Sequence, residues 1–242
     1  MTQTSLPGVS GLKVAVVGGA SGIGLASIEL LIRSGASTIS IDIASSADVV
    51  ADITDADDCD AAIAATLDSL GGLDALFIAA GGGPYASIEE TTAAVWEHTI
   101  ALNMVAAGLL TRAALPALRE SKRGSIVVTA SAAGRRGYGL FTAYSSAKAG
   151  LVHWSRSAAR ELGAQQIRVN CVSPGPIDTP LLRAGGPEGI DPADWQVTVA
   201  SRTCLGRVGT AEEVAQVAVF LMSDLASYVT GTVVEVDGGE SA

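Results

Sequence analysis

Cysteine is scarce. Cys59, Cys171 and Cys204 are odd in number, far apart and outside any C-x-x-C pattern. That excludes a disulfide framework and a thiolate zinc site, and it is the usage of a reducing compartment, so a cytoplasmic location is expected. His98 and His153 are the only histidines. They cannot make a His-rich metal cluster, and any Ser-His-Asp triad must use one of them. Asp55, Asp57, Asp58 and Asp60 resemble a metal ladder but lack the EF-hand glycine and terminal Glu. They read as a solvated helix start, and no metal is expected. Basic charge is also short: Lys+Arg is 15 against Asp+Glu 25, a net charge of −10. An acidic chain has no electrostatic case for nucleic acid or an anionic membrane. Long hydrophobic runs are missing too. The longest uncharged run, Val14–Ile28, is 15 residues with four glycines, short of the roughly 20 a membrane span needs. The segment Met1–Leu12 has neither a basic cluster nor an apolar stretch, so no signal peptide is expected. Repeats and low-complexity linkers are absent, and 242 residues leave no room for a second substrate domain.

What is present is an alternation of short β-rich runs with longer helical ones. Leu12–Val17, Thr38–Asp42, Val49–Ile53, Leu73–Ala80, Ser125–Ala130, Ile167–Val172 and Thr232–Val236 read as strands. Gly22–Arg33, Ala56–Leu70, Thr92–Leu118 (one or two helices), Thr142–Leu162 and Glu212–Met222 read as helices. Strands apolar on both faces, alternating with helices, predict a single α/β domain over residues 1–242. Its architecture is a doubly wound parallel sheet, a Rossmann fold, of about seven strands. Ligands in such sheets bind beyond the C-terminal strand ends, where strand order reverses.

After the first strand comes Gly18-Gly19-Ala20-Ser21-Gly22-Ile23-Gly24. Glycines there allow a sharp turn and a close pyrophosphate approach, and the following helix aims its N–H groups at the phosphates. A turn without ligand is the alternative reading. Asp42 ends the second strand, 18 residues after Gly24. A carboxylate at that place accepts from both adenosine ribose hydroxyls and repels a 2′-phosphate. Ala44, Ser45 and Ser46 offer no cation to offset one, so NAD is favoured over NADP. An Asp that only caps the next turn is the alternative.

Of four tyrosines and three lysines, one pair, Tyr144 and Lys148, is spaced i, i+4 on a predicted helix. That spacing puts both on one face. A phenol with pKa ≈ 10 is a poor base at neutral pH, and a nearby ammonium and a cationic nicotinamide are expected to lower it. Ser131 closes the fifth strand 13 residues earlier, where its hydroxyl can donate to a carbonyl or alkoxide oxygen.

The glycine turn, Tyr144-x-x-x-Lys148, the upstream Ser131, Pro174-Gly175 after the sixth strand and Val236-Asp237-Gly238-Gly239 stand together in one order. With them the chain resembles a classical short-chain dehydrogenase/reductase from about residue 10 to 240. The resemblance implies that Tyr144 is the general acid/base and that Lys148 lowers its pKa and holds the nicotinamide ribose. It implies that Ser131 orients the substrate oxygen and Asn103 holds a relay water; local bonding inside a helix is the other reading of Asn103. Gly18, Ser21, Gly22, Ile23, Gly24 and Asp42 would hold the nucleotide, Asp52 and Ile53 would flank the adenine, and Ala80 and Gly81 would let the backbone approach the cofactor. Pro174, Gly175 and Ile177 would line the nicotinamide, with Thr179 on its carboxamide. The family usually forms tetramers, so a homotetramer is expected. Two departures stand out. Val17 replaces the hydroxyl residue common before the first glycine, and Ile78-Ala79-Ala80-Gly81 replaces an amide-rich loop.

The insert 181–204 reads as a lid, helical around Trp195. With Tyr138, Leu140, Phe141, Leu181 and Leu182 it predicts a mainly apolar pocket for a small neutral secondary alcohol or ketone. Arg135 and Arg136 read as a solvated loop, and His98 as the outer side of a helix. Two rival readings remain: an NADPH-dependent 3-oxoacyl reductase, and a nucleotide-binding regulator without catalysis.

Overall fold

The computed structural model describes residues 5–184 and 186–242; Met1–Thr4, within the N-terminal segment read above, and Gly185, within the expected lid, lie outside them. The strands are β1 (Lys13–Val17), β2 (Ser37–Asp42), β3 (Val49–Val50), β4 (Ala75–Ile78), β5 (Ser125–Thr129) and β6 (Arg168–Pro174), then β7 (Ile177–Asp178), β8 (Gly209–Thr210) and β9 (Val233–Val236). Seven of them form one parallel sheet in the order β3-β2-β1-β4-β5-β6-β9. Strand order reverses between β1 and β4, which opens a crevice at their C-terminal ends. β7 and β8 pair separately beside it, a small sheet the sequence does not announce.

Side-chain alternation explains why the sheet needs cover on both faces. Ala15 and Val17 of β1, Leu76 and Ile78 of β4 and Ile126 and Val128 of β5 point into one core with Leu110, Leu118 and Leu151. Val14, Val16, Ala75, Phe77 and Val127 point into the other with Leu30, Leu31, Val214 and Val219. Each strand therefore feeds two cores at a period of two. α2 (Ala56–Leu70), α4 (Ala106–Glu120) and α5 (Thr142–Leu162) cover the first face; α1 (Gly22–Arg33) and α8 (Ala211–Met222) cover the second.

Three expectations need correction. The third strand stops at Val50, and the chain then turns where Asp55 N–H donates to the Asp52 carbonyl (2.9 Å). The lid holds two helices, α6 (Pro180–Arg183) and α7 (Pro192–Ala200), the second started by proline and by the Asp191 side chain accepting from Ala193 N–H (2.8 Å). The third difference concerns the membrane. α3 (Ala93–Ile100) runs through a π-helical turn, Ala101–Val105, into α4. The result is one 28-residue helix, Ala93–Glu120, long and apolar enough by length and composition to cross a membrane. Counting uncharged runs misses it, because a helix passes through Arg112 unbroken. Its inner face packs on the sheet, yet only 33% of its most apolar stretch is buried, which leaves an outer face with apolar side chains such as Val105 exposed.

Candidate active site and nucleotide cleft

Two clefts open along the C-terminal edge of the sheet and meet over Ile23, Ala79, Gly81, Thr179 and Leu181. The first, about 370 Å³, is lined by Gly18, Ser21, Gly22, Ile23, Gly24, Asp42, Asp52, Ile53, Ala80 and Gly81, all expected from the sequence. Its floor is backbone. A Cβ on Gly24 would lie 2.0 Å from the Gly18 carbonyl oxygen, so α1 can start this close to β1 only through glycine. Gly18 has φ +79, the left-handed region glycine favours. The hydroxyl missing at Val17 is replaced by other braces: Gly18 N–H donates to the Ile41 carbonyl (2.8 Å), and Ala79 and Ala80 N–H donate to the Val17 carbonyl (2.8 and 3.0 Å).

The donor set suits a dinucleotide. Ser21, at the start of α1, makes no side-chain cap bond, and the first turn holds no acid. The N–H groups there face the cleft without a carboxylate of the protein's own, the arrangement that receives phosphate. Asp42 sits in the same cleft with its carboxylate fixed by Ala20 N–H and Ala44 N–H, both at 3.1 Å. Asp52 accepts from the Thr54 hydroxyl (2.7 Å) and Thr54 N–H (2.9 Å), and these bonds hold its pKa below the usual carboxylate value. His98, exposed on its helix as the sequence suggests, reaches the rim of this cleft and acts on Asp52.

The second cleft, about 680 Å³, brings together Ser131, Tyr138, Tyr144, Lys148, Pro174, Gly175, Ile177, Thr179, Leu181 and Trp195. Tyr144 and Lys148 share the inner face of α5 and are both buried. The turn carrying Ser131 reaches them because Gly134 lies against α5; a Cβ there would sit 2.8 Å from the Lys148 carbonyl carbon. Ser131 Oγ accepts from Ala133 N–H (3.1 Å). Lys148 Nζ donates to the Thr129 carbonyl (2.7 Å) and lies 5.6 Å from the Tyr144 ring centre.

Burial dominates the electrostatics of this site. Burial pushes the Tyr144 phenol up to about 12, with the Ser131 hydroxyl pulling the other way. Burial brings the Lys148 ammonium down to about 8. Burial is the largest cause at both groups, and the Lys148 ammonium lies 5.6 Å from the ring centre while it donates to the Thr129 carbonyl.

Asn103 is buried in the π-helical turn and lines neither cleft. Its Nδ2 donates to the Gly82 carbonyl (2.7 Å) and the Thr99 carbonyl (2.8 Å), and its Oδ1 accepts from Gly82 N–H (3.1 Å). It therefore tethers the loop after β4, replacing part of the amide bonding absent from Ile78-Ala79-Ala80-Gly81.

The substrate side is an aromatic wall. The Tyr144 and Phe141 rings stack at 4.3 Å, Phe141 and Tyr85 at 4.3 Å, and Tyr85 meets Trp195 edge-on at 5.5 Å. Arg202 and Glu240 line this cleft as well, and nothing in their sequence neighbourhood points to them. Burial first, then the Glu240 carboxylate, pushes the Tyr138 phenol up. Arg135 pairs with Glu235 (3.6 Å), and Arg136 donates to the Glu240 carbonyl.

Comparison with known proteins agrees with this geometry. A family model described as Enoyl-(Acyl carrier protein) reductase matches residues 18–241. The chain is 38% identical to cis-4-hydroxycyclohexanecarboxylate dehydrogenase of Sinomonas cyclohexanicum over 247 residues, covering 95% of this chain and 97% of that protein. It is 34% identical to levodione reductase of Leifsonia aquatica over 266 residues, covering 100% and 99%. The crystal structure of levodione reductase superposes with a TM-score of 0.88 at 33% identity, over 96% of this chain and 98% of that one. The ligand-free aldohexose dehydrogenase of Thermoplasma acidophilum gives 0.87 at 28% identity, over 96% and 95%. The chain belongs to the classical short-chain dehydrogenase/reductase family, oxidoreductases that act on alcohols and ketones with a nicotinamide cofactor.

Proposed function

We propose that this protein interconverts a secondary alcohol and a ketone with NAD, using Tyr144 as the general acid/base. One observation carries the reading: Ser131, Tyr144 and Lys148 converge in the substrate cleft, beside its junction with a cleft whose uncapped helix start and Asp42 suit a dinucleotide. Gly18, Ser21, Gly22 and Gly24 would hold the pyrophosphate and Asp42 the adenosine ribose. Lys148 would hold the second ribose, with Pro174, Gly175, Ile177 and Thr179 around the nicotinamide. Held there, a nicotinamide would supply or take up the hydride and, when oxidised, would add a positive charge beside the phenol. In oxidation the Tyr144 oxygen takes the proton from the substrate hydroxyl; in reduction it returns one. Ser131 donates to the same substrate oxygen and steadies the carbonyl. Lys148, anchored on the Thr129 carbonyl, carries charge toward the phenol, and Asn103 acts as a positioning residue through Gly82.

The substrate body lies along the aromatic wall. The curated relatives named above act, by their names, on a hydroxycyclohexanecarboxylate and on levodione, so a ring-bearing substrate fits both the wall and the relatives. The outer face of Ala93–Glu120, with Val105 exposed, supports assembly with further copies of the chain as a homotetramer. Free thiols, Cys204 exposed among them, fit a cytoplasmic protein. The test is Tyr144→Phe. It keeps NADH binding by calorimetry and loses on the order of 10²–10⁴-fold in turnover. Turnover within a few-fold of wild type overturns the assignment.

A further inference from the structure

We infer that the lid end of the substrate cleft is a carboxylate subsite built on Arg202. The substrate is then a ring-borne secondary alcohol or ketone with a carboxylate at the end remote from the reacting carbon. The reacting end rests on the redox reading above; the anion subsite rests on its own geometry.

Arg202 follows α7 and lines the cleft. Its guanidinium carbon lies 5.1 Å from the Trp195 ring centre and 5.8 Å from that of Tyr138. These two rings orient the group, and the attraction is the cation–π kind. Arg112, Arg123, Arg183 and Arg207 each hold a carboxylate at 2.6–2.8 Å, and Arg119, Arg136 and Arg168 donate to amide or backbone carbonyls. Among the described residues Arg202 has no such partner within 4.0 Å. A guanidinium fork facing a cleft, stacked and without an acid of its own, matches a planar carboxylate in two parallel hydrogen bonds.

The cleft around it fixes the rest of the ligand. Its aromatic wall runs from Tyr144 through Phe141 and Tyr85 to Trp195, so the catalytic phenol and Arg202 stand at its two ends. A continuous ring-lined wall takes an apolar, ring-shaped body and leaves polar groups to the ends. Of the charged groups lining the cleft, Lys148 lies at the reacting end, and Arg202 and Glu240 at the other. Glu240 faces Tyr138, where Arg136 and Arg202 also act, and Arg136 reaches the Glu240 carbonyl. Arg136 thus meets the backbone of Glu240, and among the described residues neither Arg136 nor Arg202 pairs with its carboxylate within 4.0 Å. Glu240 repels an anion from its own side and leaves it the Arg202 side. A wholly neutral substrate, the expectation from apolar lining residues alone, leaves this guanidinium without a role.

The experiment pairs catalysis with binding. In NADH-dependent reduction, 4-oxocyclohexanecarboxylate is compared with its carboxamide. The expected kcat/KM ratio favours the carboxylate on the order of 10–100-fold, the scale of charged hydrogen bonds. Arg202→Met brings the ratio close to one, Arg202→Lys leaves an intermediate ratio, and Lys122→Gln, exposed at the opposite end of the sheet, leaves it as in wild type. Separately, calorimetry reads cyclohexanecarboxylate, which has no reducible group, against cyclohexanecarboxamide. The carboxylate is expected to bind more tightly by a similar factor, a factor lost in Arg202→Met. Equal binding of acid and amide, or an acid preference that survives Arg202→Met or vanishes with Lys122→Gln, overturns the subsite. If acid and amide are discriminated but no ketone turns over, the subsite stands and the redox reading falls. If ketones turn over without discrimination, the reverse holds.

Discussion

The two ends of the cleft are built from different materials. The nucleotide end is largely backbone: a glycine turn, the open start of α1, and one carboxylate clamped by two N–H groups. The substrate end is side chain: stacked rings, a guanidinium and a lid helix. A backbone surface offers the same N–H groups whatever the neighbouring residues, but it tolerates no added atom. A side-chain surface tolerates exchange, and each exchange alters what it admits. The first end should therefore fail by loss of structure or of nucleotide, and the second by a change of substrate preference.

The hardest test of that division is Gly24→Ala. The new Cβ would lie 2.0 Å from the Gly18 carbonyl oxygen and 2.8 Å from its carbon. Both are main chain, so α1 or the turn must move. A loss of about 3 kcal/mol, the upper part of the range for overpacking, is expected. Urea denaturation measures it, and nucleotide binding should fall with it. Stability within error of wild type would mean the turn is not held as tightly as described.

Next in size is the ribose contact. Asp42 faces the nucleotide cleft, and Ile43 beside it is exposed at the rim. Wild type is expected to prefer NADH over NADPH. Asp42→Ala combined with Ile43→Arg removes the repelling carboxylate and supplies a cation, and it should reverse the ratio by on the order of 10²-fold. Steady-state rates with the two nucleotides decide it, and an unchanged ratio places discrimination elsewhere.

These two predictions fall where the sequence was most readable, and that is physical. Glycine spacing, an i, i+4 Tyr–Lys pair and alternating apolar strands are local patterns, each imposed by one stretch of backbone. Asp42, Ser131, Tyr144 and Lys148 stand in the clefts because each is tied to a strand end or a helix face. Arg202 and Glu240 were not readable: they meet Tyr138 only when residues 138, 202 and 240 are folded together. His98 is exposed as read, but its place at the rim of the nucleotide cleft depends on elements that come together only in the fold. Nor does a spacing show how dry the wall around Tyr144 is, and burial there is what raises its phenol. The helix Ala93–Glu120 was legible nearly whole as Thr92–Leu118; what a count of uncharged runs missed was its apolar length, because the helix continues through Arg112.

At the substrate end the expected effect is smaller and selective. Phe141 is stacked between Tyr85 and Tyr144 at 4.3 Å on each side. Phe141→Leu keeps an apolar side chain but loses the flat surface, worth about 1 kcal/mol beyond area. KM for ring ketones should rise about 5-fold on that scale, with open-chain ketones of equal size hardly affected. Equal losses for both would make Phe141 a generic packing residue and weaken the contrast between the two ends.

The smallest effects compare two helix starts, one self-sufficient and one open. At α8, Thr210 accepts from Glu213 N–H (3.2 Å), and Glu213 accepts from Thr210 N–H (2.8 Å) while pairing with Arg207 (2.6 Å). Thr210→Ala should cost about 1 kcal/mol of stability with nucleotide binding untouched. Ser21, at the start of α1, makes no cap bond, so Ser21→Ala should leave stability within a few tenths of a kcal/mol. Its effect should appear instead as nucleotide binding weakened a few-fold, the scale of one lost hydrogen bond. pH separates the two ends further. Arg207, then Thr210 N–H, holds the Glu213 carboxyl down to about 2 from its usual 4.5. A depressed acid stabilises the fold above its unfolded value and loses that contribution as pH falls through the folded one. Both partners are substantially exposed, at 51% and 41%, so the contribution is screened and small. Glu213→Gln should therefore be slightly less stable than wild type at pH 7, with the gap closing between about pH 4.5 and 2. A gap that stays constant over that window would show that the start of α8 draws nothing from its carboxylate charge, and would leave the amide-compatible hydrogen bonds as its whole support.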